Sequence, residues 1–332
     1  MKLSLGIIGL PNVGKSTLFK IITKNEVNIA NYPFCTIDPN IGIVPVPDPR
    51  IEALAKMSAS AQKIPAVVEF YDIAGLVRGA HKGEGLGNKF LSHIREVHAL
   101  IHVIRCFSDN NITHVDASID PLRDRETILQ ELILHDLEIL ESRIKKWEVE
   151  AKSGDKEQQK NLDFIKKLIQ KLESGNIIGP ISDAPFLKEL GLLTAKRQLY
   201  FLNGKTSDIS SGLLEKIKEE GSQYIIADLN EVIEVPELIV EAYKVLGLIS
   251  FFTTGKEETR AWTIKQGMMA PEAAGVIHTD FEKKFIRAEV IGYKELLETG
   301  SWNDAQKKGK IRTEGKTYIL KDGDVILIRH GA

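Results

Sequence analysis

The residues with the clearest chemistry lie near the start of the chain: Gly9-Leu10-Pro11-Asn12-Val13-Gly14-Lys15-Ser16-Thr17. Their spacing is G-x-x-x-x-G-K-[ST], with an apolar run at 2–8 before it and a helical pattern from about Gly14 after it. Glycines at both ends let main-chain N–H groups turn inward and approach phosphate oxygens closely. A helix beginning near Gly14 adds the positive end of its dipole. Asn12, Val13, Gly14, Lys15, Ser16 and Thr17 are therefore candidate phosphate-binding residues. Lys15 supplies a mobile charge for the β- and γ-phosphates, and the Ser16 hydroxyl is placed to ligate Mg²⁺. The plain alternative is a tight strand–helix turn with an incidental lysine, but the motif positions and both flanking elements agree with the phosphate loop.

A second group is Asp72-Ile73-Ala74-Gly75, at the end of the β-rich run 65–71. A carboxylate at the C-terminal end of a strand can hold the Mg²⁺ shell, and the Gly75 N–H can contact a γ-phosphate. D-x-x-G is weak alone and strong one strand after a phosphate loop. Gly79, Gly83, Gly85 and Gly87 follow, so the segment's order should depend on the γ-phosphate. A third group is Asn31-Tyr32-Pro33-Phe34-Cys35-Thr36, between the first helix and second strand. Thr36 is the residue there that can reach the metal and the γ-phosphate; an ordinary loop threonine is the alternative. His93, His98 and His102 read as structural rather than as metal ligands.

Positioning these groups requires a scaffold. Runs at 2–8, 40–46, 65–71, 98–105, 197–202 and near 224–226 alternate with helical patterns, which predicts a parallel sheet covered on both faces. The alternation stops where Ile133, Leu137, Leu140, Ile144 and Trp147, and then Leu162, Ile165, Ile169 and Leu172, step by three and four. That spacing, with a polar break at 152–157, predicts an antiparallel helical hairpin. A helix is expected near 236–246. Beyond Ser250, short β-like runs at 250–253, 260–264, 285–290, 317–319 and 325–329 predict a small α+β module.

The 332 residues are too many for one small core. A net charge of −2 gives no global signature for nucleic acid or membrane. Two cysteines, Cys35 and Cys106, form no disulfide framework and fit a reducing cytosol. The apolar start is cut off by Pro11-Asn12 and reads as a buried strand rather than a signal peptide. No apolar stretch approaches the roughly 20 residues that span a bilayer, so a cytoplasmic protein without a membrane partner is expected.

Together these residues resemble the YchF/Obg-like ATPases, a branch of the translation-factor-related P-loop NTPases. The resemblance is carried by Gly9–Thr17, Asn31–Gly42 (NYPFCTIDPNIG), Tyr71–Phe90 (YDIAGLVRGAHKGEGLGNKF), His102–Val115 (HVIRCFSDNNITHV) and Arg260–Ala288 (RAWTIKQGMMAPEAAGVIHTDFEKKFIRA). It implies an α/β P-loop NTPase (G domain) at 1–125 and 197–249, interrupted by the helical hairpin at 126–196. A C-terminal α+β, β-grasp-like TGS domain at 250–332 follows. In Ras-like GTPases a Gln after D-x-x-G orients the attacking water. Here Leu76 and Val77 stand in that region and cannot hydrogen-bond water. The family shares this apolar replacement, and by resemblance His114 takes over as the catalytic group, with Lys15 at the phosphates. A solvated loop histidine is the alternative for His114. Intrinsic hydrolysis should be slow in either case.

Base choice is a separate matter. GTPases follow their next strand with N-K-x-D, whose acid reads guanine's N1–H and 2-amino group. Here the run is Asn203-Gly204-Lys205-Thr206, with no acid at the fourth position. The family usually carries Glu there, so the chain departs from its own pattern. Charge-assisted hydrogen bonds are worth about 1.5–3 kcal/mol each, so their absence removes guanine preference tens-fold or more. Asp208 compensates only if the loop rearranges. Asn203 and Gly204 are expected near the base, with ATP bound in preference to GTP and Mg²⁺ as cofactor. A GTP-specific enzyme of the same fold and a nucleotide-sensing scaffold with incidental hydrolysis remain alternatives. Residues 250–332 carry 14 Lys+Arg and 12 Asp+Glu, a balance of 14 − 12 = +2, too small to establish RNA binding. Ribosome association, and RNA contact through the C-terminal module or hairpin, are implied by the family. A monomer is expected.

Overall fold

A computed structural model describes residues 3–24, 40–73, 86–109, 111–116, 118–151, 156–180 and 190–331. Two compact units emerge. One comprises 4–21 and 70–234, the other 1–3, 22–69 and 235–332.

In the first unit β1 (Ser4–Ile8), β5 (Ala99–Arg105), β6 (Arg197–Asn203) and β7 (Gln223–Ala227) lie side by side in that order, all parallel. β4 (Val67–Asp72) is the neighbour of β1 in the sheet order. Every residue of β1 and β5 is buried, the signature of strands covered on both faces. Parallel pairing in register, with Ile8 beside His102, Arg105 beside Asn203 and Asn203 beside Ala227, brings the C-terminal ends of four strands to one edge. The loops that follow them gather there, which is where ligands of open parallel sheets bind.

The hairpin in this unit is α4 (Pro121–Ala151) packed on α5 (Lys156–Glu173). At 1.5 Å per residue, the 31 residues of α4 run for about 46 Å. Ile133, Leu140, Ile165, Leu168 and Leu172 form the buried seam, with Leu137, Trp147 and Ile169 packed against it. α4 begins at Pro121, five residues before the hairpin boundary expected at 126. Its first turn, Pro121-Leu122-Arg123-Asp124, is set by a proline at the first position and polar anchors rather than by the seam. The fully buried Asp136 closes the hairpin's return: its carboxylate accepts from the Leu193 and Thr194 N–H groups at 2.8 Å and from Thr194 Oγ1 at 2.7 Å.

The second unit has its own sheet, in the order β11 (Arg312–Glu314), β10 (Phe285–Gly292), β12 (Asp324–His330), β8 (Leu248–Thr254), β9 (Glu258–Lys265), β3 (Gln62–Ile64). Pairings are mixed: β8–β9 and β10–β12 run antiparallel, and β12–β8 and β3–β9 parallel. The helix Ala270–Ile277 covers a core of Phe251, Ile264, Phe285, Val290 and Ile326. Residues 317–319 form no strand. Ile319 makes only an isolated bridge to Met269. Helix α2 (Pro49–Ser58) belongs to this unit too, capped by Asp48, whose carboxylate accepts from the Arg50 N–H at 2.9 Å. The Arg50 guanidinium also reaches Asp322 at 2.6 Å and lies over the Phe252 and Tyr293 rings. These bonds hold the guanidinium pKa above its ordinary value despite burial.

Candidate nucleotide site

The loop after β1 is shaped by two glycines whose backbones no other residue tolerates well. Gly9 has φ 151°, and a Cβ there would lie 2.5 Å from the Val103 carbonyl oxygen. Gly14 has φ 105°, and a Cβ there would meet Asn203 Nδ2 at 2.6 Å. Asn12 also takes a positive φ, 60°, in the region asparagine enters most readily. Helix α1 (Lys15–Thr23) starts at once, with the Leu18 N–H bonded to the Gly14 carbonyl at 2.8 Å. No acid occupies its first turn, so nothing of this helix neutralises its positive end.

Lys15 is buried, with Nζ donating to the Leu10 carbonyl at 2.7 Å. Burial pulls its pKa down to about 8, and the Asp72 carboxylate opposes that shift. The ammonium thus sits where it is poorly solvated, arched back over the loop it belongs to. That location favours an anion. Ser16 and Thr17 are exposed on the first turn, and Val13 is buried beneath the loop. Thr36 and Gly75 lie outside the described residues, as do Leu76 and Val77. Among the described residues no group of three His, Cys, Asp or Glu side chains could hold a metal. The donors that remain, a hydroxyl at Ser16 and a carboxylate at Asp72, are oxygen ligands of the kind Mg²⁺ accepts while keeping several waters and substrate phosphates.

Asn203, at the end of β6, has a role that its place in the motif does not reveal. It is 2 % exposed; its Nδ2 donates to the Val13 carbonyl at 2.9 Å, and its Oδ1 accepts from the Leu229 N–H at 3.1 Å. One amide therefore braces the phosphate loop against the loop after β7. Gly204 follows with φ 157°, where a Cβ would come within 3.2 Å of the Phe107 N atom. Beside it opens a cavity of about 480 Å³ lined by Phe107, Asp109, Lys205, Asp208, Asp228 and Asn230, among others. Thr206 opens a short turn at 206–208 closed by Asp208, whose Oδ2 accepts from the Lys205 N–H at 2.9 Å. Asp109 and Asp228 likewise each cap a turn, accepting from the Asn111 and Asn230 N–H groups at 2.8 and 2.9 Å. The Lys205 ammonium pairs with Glu231 at 2.5 Å. Cys106 lies at the rim with its thiol pushed up to about 12 by burial, so it carries no thiolate chemistry.

The buried Arg105 shapes the cavity's near wall. Its guanidinium donates to the Phe107, Asp109 and Ile112 carbonyls at 3.2, 3.0 and 3.0 Å, holding the loop after β5 in a tight arc. At the far end of that arc the Thr113 carbonyl accepts from Asn12 Nδ2 at 3.2 Å, which ties the segment carrying His114 to the phosphate loop. His114 is not a solvated loop histidine. It is 8 % exposed, with both ring nitrogens engaged. His102 is buried against Tyr200, its pKa driven down to about 3 by desolvation and by the positive charges of Arg125 and Lys15. His98 Nδ1 accepts from the Ser4 N–H at 3.3 Å. Sequence reasoning missed Arg105, Leu229 and the turn-capping Asp109 and Asp228. Only the Asp109 and Asp228 turns had a signal, an acid two residues before a backbone N–H it can cap.

Comparison with known proteins finds relatives over nearly the whole chain. A family model described as a 50S ribosome-binding GTPase matches residues 4–135. A second, described as the C-terminal part of YchF-type GTPases and of unknown function, matches 248–331. The chain is 45 % identical to a Bacillus subtilis protein named ribosome-binding ATPase YchF, over 99 % of both chains. It is 42 % identical to a rice protein named Obg-like ATPase 1, over 98 % of this chain and 92 % of that one. Among solved structures, the Schizosaccharomyces pombe YchF GTPase superposes with a TM-score of 0.83 at 36 % identity, covering 99 % of this chain and 98 % of the other.

Proposed function

The chain belongs to the YchF family of P-loop NTP hydrolases, and on that premise we propose that it is a Mg²⁺-dependent ATPase, preferring ATP to GTP, that works on the ribosome. The observation that carries the base preference is the state of the turn after β6. Position 206 is Thr, and the nearest acid, Asp208, has Oδ2 committed to the Lys205 N–H. Guanine's N1–H and 2-amino group would need a carboxylate free to receive both. Adenine needs no such acid and can be read by backbone groups of this loop.

Asn12 to Thr17 and Gly75 hold the phosphates in this reading, with Lys15 at the β- and γ-positions. Bound through Ser16, Asp72 and Thr36, the metal would supply charge neutralisation on the phosphate oxygens. His114 orients the attacking water, because Leu76 and Val77 offer it no hydrogen bond. Asn203 and Gly204 form the floor beneath the base and keep the phosphate loop in register. Ribosome association rests on the names of the relatives; RNA contact through the C-terminal module and a monomeric state are further parts of the reading.

Competitive titration of ATP and GTP, each with and without Mg²⁺, tests it. Tighter ATP binding that depends on the metal is expected, and GTP binding equally or better would overturn the preference. One observation favours a second reading, a GTPase of the same fold. Three aspartates, Asp109, Asp208 and Asp228, line the base cavity, and their second oxygens could take guanine's donors after a small rearrangement. The same titration decides between the two.

A further inference from the structure

His114 and Asp124 form a closed pair. Asp124 lies in the first turn of α4, and its Oδ2 is 2.7 Å from His114 Nε2. The same ring accepts the Asp116 N–H at Nδ1, at 3.1 Å. An imidazole that accepts at Nδ1 must carry its proton at Nε2, so the tautomer is fixed and that proton is directed at the carboxylate. Both side chains are nearly sealed, 5 % and 3 % exposed. The carboxylate is itself held from the other side: Arg123 donates to Asp124 Oδ1 from Nη2 at 3.0 Å and to the Ser118 carbonyl at 2.6 Å. Yet the neighbouring residue, Thr113, bonds Asn12 of the phosphate loop. His114 is thus near the reaction centre in sequence and tether, with neither ring nitrogen available to a water.

We propose that Asp124 is a positioning residue that stores His114 in an unreactive orientation, and that opening this pair at the root of α4 is what sets the rate of hydrolysis. The inference rests on the reading of His114 as the water-orienting group. It adds what that reading lacks, a physical reason to expect slow basal turnover in a chain whose histidine is tethered, through Thr113 and Asn12, to the phosphate loop. Because Asp124 begins the helix that forms one arm of the hairpin, a partner that shifts that arm acts directly on the pair. No chemistry is asked of Asp124 itself. Its carboxylate competes with the water for one N–H.

The test is steady-state ATP hydrolysis with Mg²⁺ by the full chain, comparing the parent with Asp124→Asn, His114→Ala and the double variant. A neutral amide holds the imidazole N–H more weakly than a carboxylate does. Asp124→Asn is therefore expected to raise kcat by about tenfold with KM unchanged, and the double variant should fall to the level of His114→Ala. A kcat for Asp124→Asn equal to or below the parent's overturns the proposal while leaving His114 as the water-orienting group, provided that His114→Ala is slow. A normal rate for His114→Ala removes both. If Asp124→Asn does not fold, Asp116→Pro deletes the bond to Nδ1, together with the 3.6 Å ion pair from the Asp116 carboxylate to Arg123, and should raise kcat several-fold on the same argument; no rise refutes it. Nitrogen-15 shifts of the His114 ring in the nucleotide-free parent give an independent readout. Nε2 protonated and Nδ1 not is expected, and the opposite tautomer contradicts the stored geometry.

Discussion

Replacing Lys15 with methionine should make the nucleotide-free protein more stable at neutral pH while abolishing its hold on a triphosphate. Burial lowers the Lys15 pKa from 10.5 to about 8. At about 1.4 kcal/mol per unit, keeping that ammonium charged in the folded state costs roughly 3 kcal/mol, an upper bound since the site can relax. Below pH 8 the group is protonated in both folded and unfolded chains, and the folded state carries the whole cost. Between pH 8 and 10.5 the unfolded chain binds more protons, so the parent gains stability as pH rises. Above 10.5 the difference is gone. Methionine fills a similar volume with no charge and gives up the bond to the Leu10 carbonyl and the attraction of the Asp72 carboxylate, which the net shift already includes. Urea unfolding of both proteins at pH 7 and pH 10.5 measures the effect. The variant should be more stable at pH 7 by about 1–3 kcal/mol, and the gap should close at the higher pH. A variant that is less stable at pH 7, or a gap that does not change with pH, would refute the view that an electrostatic penalty is held here for an anion to relieve.

Other consequences can be checked by similar means. Triphosphate binding should raise the Lys15 pKa, so affinity should fall by about tenfold per pH unit above pH 8, with proton uptake visible when titrations are repeated in buffers of different ionisation enthalpy. Gly14→Ala forces a Cβ to within 2.6 Å of Asn203 Nδ2 at φ 105°; a loss of about 2–4 kcal/mol and of nucleotide binding is expected in thermal and titration experiments. Asn203→Ala strands the Val13 carbonyl and the Leu229 N–H, and should cost about 2–4 kcal/mol and weaken ATP at least as much as any direct contact with the base would. Asp136→Ala leaves three donors of the hairpin return unpaired and should cost about 3–5 kcal/mol, with hydrogen exchange rising first at 190–196.

Some of this was legible in the sequence and some was not, for physical reasons. The phosphate loop reads directly because Gly9, Gly14 and Lys15 are each demanded by backbone angle or charge, independent of distant residues. The hairpin seam reads because Ile133, Leu140, Ile165 and Leu172 repeat at the helical period. Asn203 was placed near the base from its motif. Its bonds to Val13 and Leu229 span 190 and 26 residues, and no local pattern encodes them. The same holds for Gln62–Ile64. Three residues with two exposed side chains give no strand signal, yet they pair with β9 because that edge is open. His114 was legible as a candidate, but its buried pairing with Asp124 was not, since an acid ten residues away marks nothing by itself.

The central claim is that a triphosphate is held by the loop 9–17 with the Lys15 ammonium. Isothermal titration of ATP with Mg²⁺ into the parent and into Lys15→Ala tests it most directly. One site per parent chain is predicted, weakened at least about 100-fold in the variant; equal affinity in the two proteins would place the nucleotide elsewhere.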